Sequence, residues 1–212
     1  TKRHFEDIMN SSGLSNEHVS LFGQAIVSPA NLNQPITYES LCRPNTERST
    51  TDELISYAED TGSIIDLDLW IAKQIIKGTK ELRRTEGVKF WINSSPKTWL
   101  NNAAVDALLG LVESDQAPET IGFEMTETFV VPDRSKIRET TDAIAGAGAR
   151  LIMDDFGSGS SSFDMAFDLN FSTIKLDKGM LERSDSVQEI LALKAIVALF
   201  HARQRNVVSE GV

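Results

Sequence analysis

Short apolar runs that alternate with segments of helical spacing constrain this chain more than any other feature. The runs fall at about 20–27, 36–41, 88–93, 120–125, 150–154, 172–177 and 206–210. From the second run onward each pair is separated by helical sequence, and such alternation means a parallel sheet with covering helices. The first two runs differ, because only Ser28 to Pro35, rich in Asn and Pro, lies between them. That is too short for a parallel crossover, which needs a dozen or more residues, so an antiparallel hairpin is expected. Seven strands are one short of a closed barrel of eight. The expected fold is α/β, a (β/α)8 TIM-like barrel with an antiparallel first strand and its last strand missing from this chain. Residues 1–19 read as an N-terminal helical lead-in and 20–212 as the barrel domain, incomplete at its C-terminal end.

Helix boundaries follow from caps and glycines. Thr50 or Thr51 can cap a helix that runs through Glu59 and ends at Gly62. Asp66 to Lys77 presents Leu69, Ile71, Ile75 and Ile76 on one face and stops at Gly78. Pro96 to Leu111 follows Ser94 or Ser95 as cap. Ser135 to Ala145 is stopped by the glycines at 146 and 148, and Ser186 to Gln204 is the longest helix, with Ile190, Leu193, Ile196, Val197 and Phe200 inward.

Composition excludes several classes of function. A net charge of −10 over 212 residues argues against a polymeric nucleic acid as partner, which wants a basic patch. It leaves room for a small phosphate ester approached through bound cations. No apolar run approaches the ~18 residues of a membrane span. Cys42 is the sole cysteine, so no internal disulfide forms and a reducing, cytoplasmic compartment is expected. His4, His18 and His201 are scattered, which argues against zinc.

The chemistry sits where the apolar runs end. Arg150-Leu151-Ile152-Met153 leads into Asp154-Asp155-Phe156-Gly157-Ser158-Gly159, and glycines at 157 and 159 permit a turn that can bring adjacent carboxylates to one site. Hard divalent cations take carboxylate oxygens, and a pair of them can clamp the attacking and leaving oxygens of a phosphoryl displacement. Taken alone, two such acids before a Gly-rich turn are more often a solvated strand end. Other runs end alike, in Glu39, in Asn93, in Glu124 with Glu127 behind it, in Lys175-Leu176-Asp177 and in Glu210. Polar groups at the ends of successive strands are how a parallel barrel builds a site. Each also has a plainer use. Asn93 can cap the following helix, Glu127 can be a first-turn acid, Lys175 can snorkel from a sheet edge, Arg43 before Pro44 can be an exposed turn residue, and Glu210 can fray.

Together these stretches resemble the EAL family, phosphodiesterases that linearise the bacterial second messenger cyclic di-GMP. Glu39-Ser40-Leu41-Cys42-Arg43 stands for the family's Glu-Ala-Leu-Leu-Arg, and Gln24-Ala25-Ile26 for its Gln-Pro-Ile. Asn93-Ser94-Ser95, Glu124-Met125-Thr126-Glu127, Asp154 to Gly159, Lys175-Leu176-Asp177 and Glu210-Gly211-Val212 match further motifs in order. The chain departs from the family at Ala25 and in a shorter linker from Pro44 to Asp52, and it lacks the motif of the last strand. The resemblance implies that Glu39, Asn93, Glu124 and Asp154 hold one Mg²⁺ or Mn²⁺ and that Asp155 helps to hold a second. It gives Lys175, Glu210 and Glu127 catalytic duties: orienting the water, acting as base or further metal-side carboxylate, and bracing the loop after Asp155. It places Gln24, Arg43 and Asp177 against the substrate.

The function expected is metal-dependent hydrolysis of cyclic di-GMP to linear pGpG in second-messenger signalling. The alternative is a degenerate EAL domain that binds a nucleotide or a protein without turnover. A third reading, an unrelated Mg²⁺ barrel enzyme that stabilises an enolate, leaves the Asp-Asp-Phe-Gly loop unexplained. The resemblance also implies a homodimer through the region after Asp155, and the domain can belong to a larger, membrane-anchored protein.

Overall fold

The computed structural model describes residues 14–29, 37–47, 49–126, 134–158, 162–182 and 186–209. Its seven described strands form one sheet in sequence order, β1-β2-β3-β4-β5-β6-β7. They are β1 (Val19–Ile26), β2 (Thr37–Pro44), β3 (Lys89–Asn93), β4 (Ile121–Thr126), β5 (Arg150–Phe156), β6 (Thr173–Leu176) and β7 (Asn206–Ser209). β1 and β2 pair antiparallel, from Val19↔Pro44 to Ile26↔Thr37, and every later pair is parallel. The expected hairpin and parallel sheet are both present. Among the described strands β1 and β7 have no partner on their outer sides, so the sheet forms a half-barrel open between them.

Helices cover the outer face: α1 (Thr51–Thr61), α2 (Ile64–Gly78), α3 (Lys80–Glu86), α4 (Pro96–Leu100), α5 (Asn102–Glu113), α6 (Arg134–Gly146), α7 (Ser162–Asp168), α8 (Lys178–Glu182) and α9 (Val187–Ala202). Thr50 and Glu53 form a reciprocal capping box that starts α1, and Gly62 ends it in the left-handed region at φ 79°. The single helix expected from Pro96 to Leu111 is two. Asn101 leaves helical geometry (φ −94°, ψ 111°) and its side chain accepts from Ala104 N, restarting the chain as α5. An Asn side chain offers the backbone a competing acceptor, which is why such residues break helices.

Strand alternation divides the sheet's two faces. Ile121, Phe123 and Met125 of β4 pack outward with Leu67, Ile71, Trp99, Leu108 and Ile137 of the helices in one core. Gly122, Glu124 and Thr126 face the barrel axis instead. Trp99 and Phe123 meet edge to face with centroids 5.7 Å apart. Ile190 on α9, expected to point inward, is exposed, and Phe200 is the buried residue of that helix. α9 is apolar on every side, so its sequence period does not select a face.

Candidate active site

Lys175 is the centre of the barrel mouth. Its side chain is 2% exposed, and its Nζ lies 3.0 Å from Glu39 Oε2, 3.0 Å from Glu124 Oε2 and 3.0 Å from Asp154 Oδ1. These carboxylates come from β2, β4 and β5, and the lysine from β6. Parallel register sets the arrangement: Asn93 pairs with Glu124, and Asp154 pairs with Thr126 one step higher. The Asn93 amide closes the ring by donating from Nδ2 to Glu39 Oε1 at 3.3 Å. Residues separated by as many as 136 positions thus meet because alternate strand residues share a face.

The site carries more negative than positive charge in a buried place. Burial pushes the Glu124 carboxyl up to about 8; the Lys175 ammonium opposes that shift, while Glu39 and Asp154 add to it. Glu124 Oε1 is buried with no hydrogen-bond partner, although Oε2 has the lysine. A buried acceptor without a donor is costly, and a cation at that oxygen would satisfy it. The donor set of three carboxylates and an amide is all hard oxygen, which suits Mg²⁺ or Mn²⁺. The residues therefore fit the expected ions. Among the described residues the acids converge on the ammonium of Lys175, and no three of them close on a common metal point.

β5 breaks its register between Met153 and Phe156. Asp155 takes φ 55°, a left-handed conformation that a non-glycine residue adopts at some cost, and its N–H donates to Asp154 Oδ1 at 3.0 Å. The turn expected at Gly157 and Gly159 thus begins at Asp155 and includes Gly157, while Gly159 lies outside the described residues. Gly157 is required where it stands: at φ 97°, a Cβ would lie 2.1 Å from Met180 Sδ.

The substrate-binding candidates lie around this cluster and outside it. Gln24 stands directly across from Glu39 in the hairpin register. Arg43 shares the strand face of Glu39 about 13 Å further along, where its Nη1 donates to Cys42 O and Thr51 Oγ1. Asp177 accepts from Gly179 N at 3.0 Å and so starts α8. Glu127 and Glu210 lie outside the described residues.

A family model for the EAL domain matches residues 7–212. The chain belongs to the EAL domain family. Cyclic di-GMP phosphodiesterase RocR of Pseudomonas aeruginosa is 27% identical over 74% of this chain and 41% of its own length. Cyclic di-GMP phosphodiesterase PdeR of Escherichia coli is 26% identical over 76% of this chain and 25% of its own. Signaling protein YkoW of Bacillus subtilis is 25% identical over 81% of this chain and 22% of its own, so this chain spans less than half the length of these relatives. Among solved structures, the Pseudomonas aeruginosa MucR phosphodiesterase in complex with c-di-GMP superposes with TM-score 0.84 at 23% identity, over 99% of this chain and 87% of that one. An EAL domain protein from Listeria monocytogenes gives 0.84 at 21%, over 100% and 83%. At such identities these likenesses speak for the fold, a TIM-like barrel.

Two features of this EAL domain escaped the sequence reading. The first is the floor under the cluster. A Cβ at Gly122 would lie 2.5 Å from Trp91 Cδ1 and 2.5 Å from Ile152 Cδ1, so the glycine is what admits the indole beneath Glu124. A glycine in a strand is the available sign of such a close approach. The second is Asp68, buried on α2 at the phase of Ile64, Ile71 and Ile75. An acid in the apolar stripe of a helix was its signal.

Proposed function

We propose that this EAL domain hydrolyses cyclic di-GMP to linear pGpG with Mg²⁺ or Mn²⁺, in the cytoplasm. The observation that carries the reading is the buried Lys175 ammonium, held 3.0 Å from each of three carboxylates on three other strands. Relatives named as cyclic di-GMP phosphodiesterases support the choice of substrate.

Glu39, Asn93, Glu124 and Asp154, joined by Asp155, would hold the ions. Cations bound there lower the pKa of water and neutralise phosphate charge. The rest falls to the chain itself. Lys175 orients and polarises the water that attacks phosphorus in line. Glu210 would take the proton or serve as a further metal-side carboxylate, and Glu127 would brace the loop after Asp155. Arg43 pairs with a substrate phosphate, and Gln24 and Asp177 hold the nucleotide. Because pGpG keeps its 5′ phosphate, the bond that breaks joins phosphorus to a ribose 3′ oxygen. That oxygen leaves with a proton, and the water oxygen stays on phosphorus.

The test is incubation with cyclic di-GMP and Mn²⁺ followed by chromatographic separation of products. pGpG should accumulate, EDTA should abolish it, and added Mn²⁺ should restore it. Full activity in EDTA removes the metal from the mechanism. Nucleotide bound without turnover makes the domain a binding module instead.

A further inference from the structure

The turn that follows Asn93 is held from two sides. Toward β4, Ser94 donates from its backbone N at 3.1 Å and from its Oγ at 3.0 Å to the carbonyl oxygen of Glu124. Trp99 Nε1 donates to the same Ser94 Oγ at 2.8 Å. Toward α2, Ser95 N donates to Asp68 Oδ2 at 2.7 Å, and Thr98 Oγ1 donates to that oxygen at 2.6 Å. Ser95 Oγ reaches Glu59 Oε1 on α1 at 3.3 Å. The chain thus joins the backbones of two site residues, Asn93 and Glu124, and ties the joint to the helical layer.

Asp68 is costly for a fold alone. It is 6% exposed among Leu67, Ile71 and Ala72, where an apolar residue would pack without the desolvation of a carboxylate. Its two hydrogen bonds go to the start of α4. The Asn93 side chain itself has one long contact, to Glu39, so its position depends on the backbone that follows it. A ligand held by a loosened turn loses affinity even though its own atoms are unchanged.

We infer that Asp68 is a positioning residue: through Ser95 and Thr98 it fixes the β3–α4 turn so that the Asn93 amide stays beside Glu39 and Glu124, ready to ligate a divalent cation. This rests on the reading of the site given above. Loss of the carboxylate oxygen loosens the turn and weakens the cation site without touching any group that binds the cation.

Calorimetric titration of the full chain with Mn²⁺ tests this, beside melting temperatures. Asp68→Ala should weaken Mn²⁺ binding about 10–100-fold, the range typical of residues that orient ligands. Asp68→Asn keeps an oxygen that can accept both bonds and should bind close to wild type. Thr98→Val removes one bond at constant shape and should fall between them, which keeps the test alive if Asp68→Ala does not fold. Ile71→Val, one turn away, should lower the melting temperature and leave Mn²⁺ binding alone. Wild-type affinity in Asp68→Ala or Thr98→Val overturns the inference, as does equal loss in Ile71→Val. A loss in Asp68→Asn as large as in Asp68→Ala overturns it too. Wild-type protein that binds no Mn²⁺ overturns the reading of the site, and the inference falls with it.

Discussion

The helices over β2 to β5 and the helix beside β6 and β7 are both rich in apolar residues, yet they are buried to different depths. α1 and α2 bury Leu54, Ala58, Ile64, Leu67, Ile71, Ile75 and Ile76 against the sheet. α9 buries Phe200 and leaves Val187 68%, Ile190 41%, Leu191 58% and Leu199 39% exposed. β7 beside it has no fully buried residue. Apolar content does not decide burial; an amphipathic stripe facing a neighbouring layer does. Glu39, Asn93, Glu124 and Asp154 all stand on the well-packed flank. Lys175 comes from β6, and its ammonium ties the second flank to the first across the mouth.

Cutting that tie should have the largest effect. Lys175→Met leaves three buried or half-buried carboxylates without their ammonium. Breaking a buried charge network by removing one partner costs about 3–5 kcal/mol. The melting temperature of metal-free protein should fall accordingly, and Mn²⁺ should recover part of the loss by replacing the missing charge. No recovery would mean that the carboxylates do not share a cation.

The flanks themselves can be compared by truncation. Leu67→Ala, in the α2 core, should cost about 2–5 kcal/mol, while Leu191→Ala on exposed α9 should stay within about 0.5 kcal/mol. Thermal unfolding separates them readily, since each kcal/mol moves the midpoint by about 2–4 °C in a chain of this size. Equal losses would show that α9 is covered in solution. Within the first flank, Gly122→Ala should cost about 1–3 kcal/mol by overpacking, because its Cβ falls on Trp91 and Ile152. A melting temperature equal to wild type would show that the floor yields.

A pH dependence should accompany these losses. Burial raises the Asp68 carboxyl from 3.8 to about 7, against hydrogen bonds from Thr98 and Ser95 that lower it. The folded protein therefore holds this proton over a range where the unfolded chain has lost it. Stability contributed by the protonated group is complete below pH 4 and is lost as pH rises to about 7. Asp68→Asn should be more stable than wild type at pH 8 and gain nothing at pH 4. Glu124, raised from 4.5 to about 8, adds a second loss in metal-free protein that ends near pH 8. An Asn variant equal to wild type at pH 8 would show that Asp68 is accommodated as an ion.

The strands were legible because each is a short apolar run bounded by turn chemistry, and β1 through β7 start and end within about three residues of where the sequence places them. Helix interruptions were less so. Asn101 reads as one more polar residue on a helix, and only the hydrogen bond from Ala104 N shows it as a break. The exposed face of α9 was illegible for a related reason, since a helix apolar on all sides carries no period to read.

For the site, the sequence shows Glu39, Asn93, Glu124, Asp154 and Lys175 each at the end of an apolar run, and strand ends in a parallel sheet share one edge. What it did not determine is who touches whom. The convergence of three carboxylates on one ammonium, the left-handed Asp155, the indole admitted by Gly122 and the clamp from Asp68 depend on register between strands and on helix phase. Those are set by packing among residues distant in the chain, and no local window of sequence contains them.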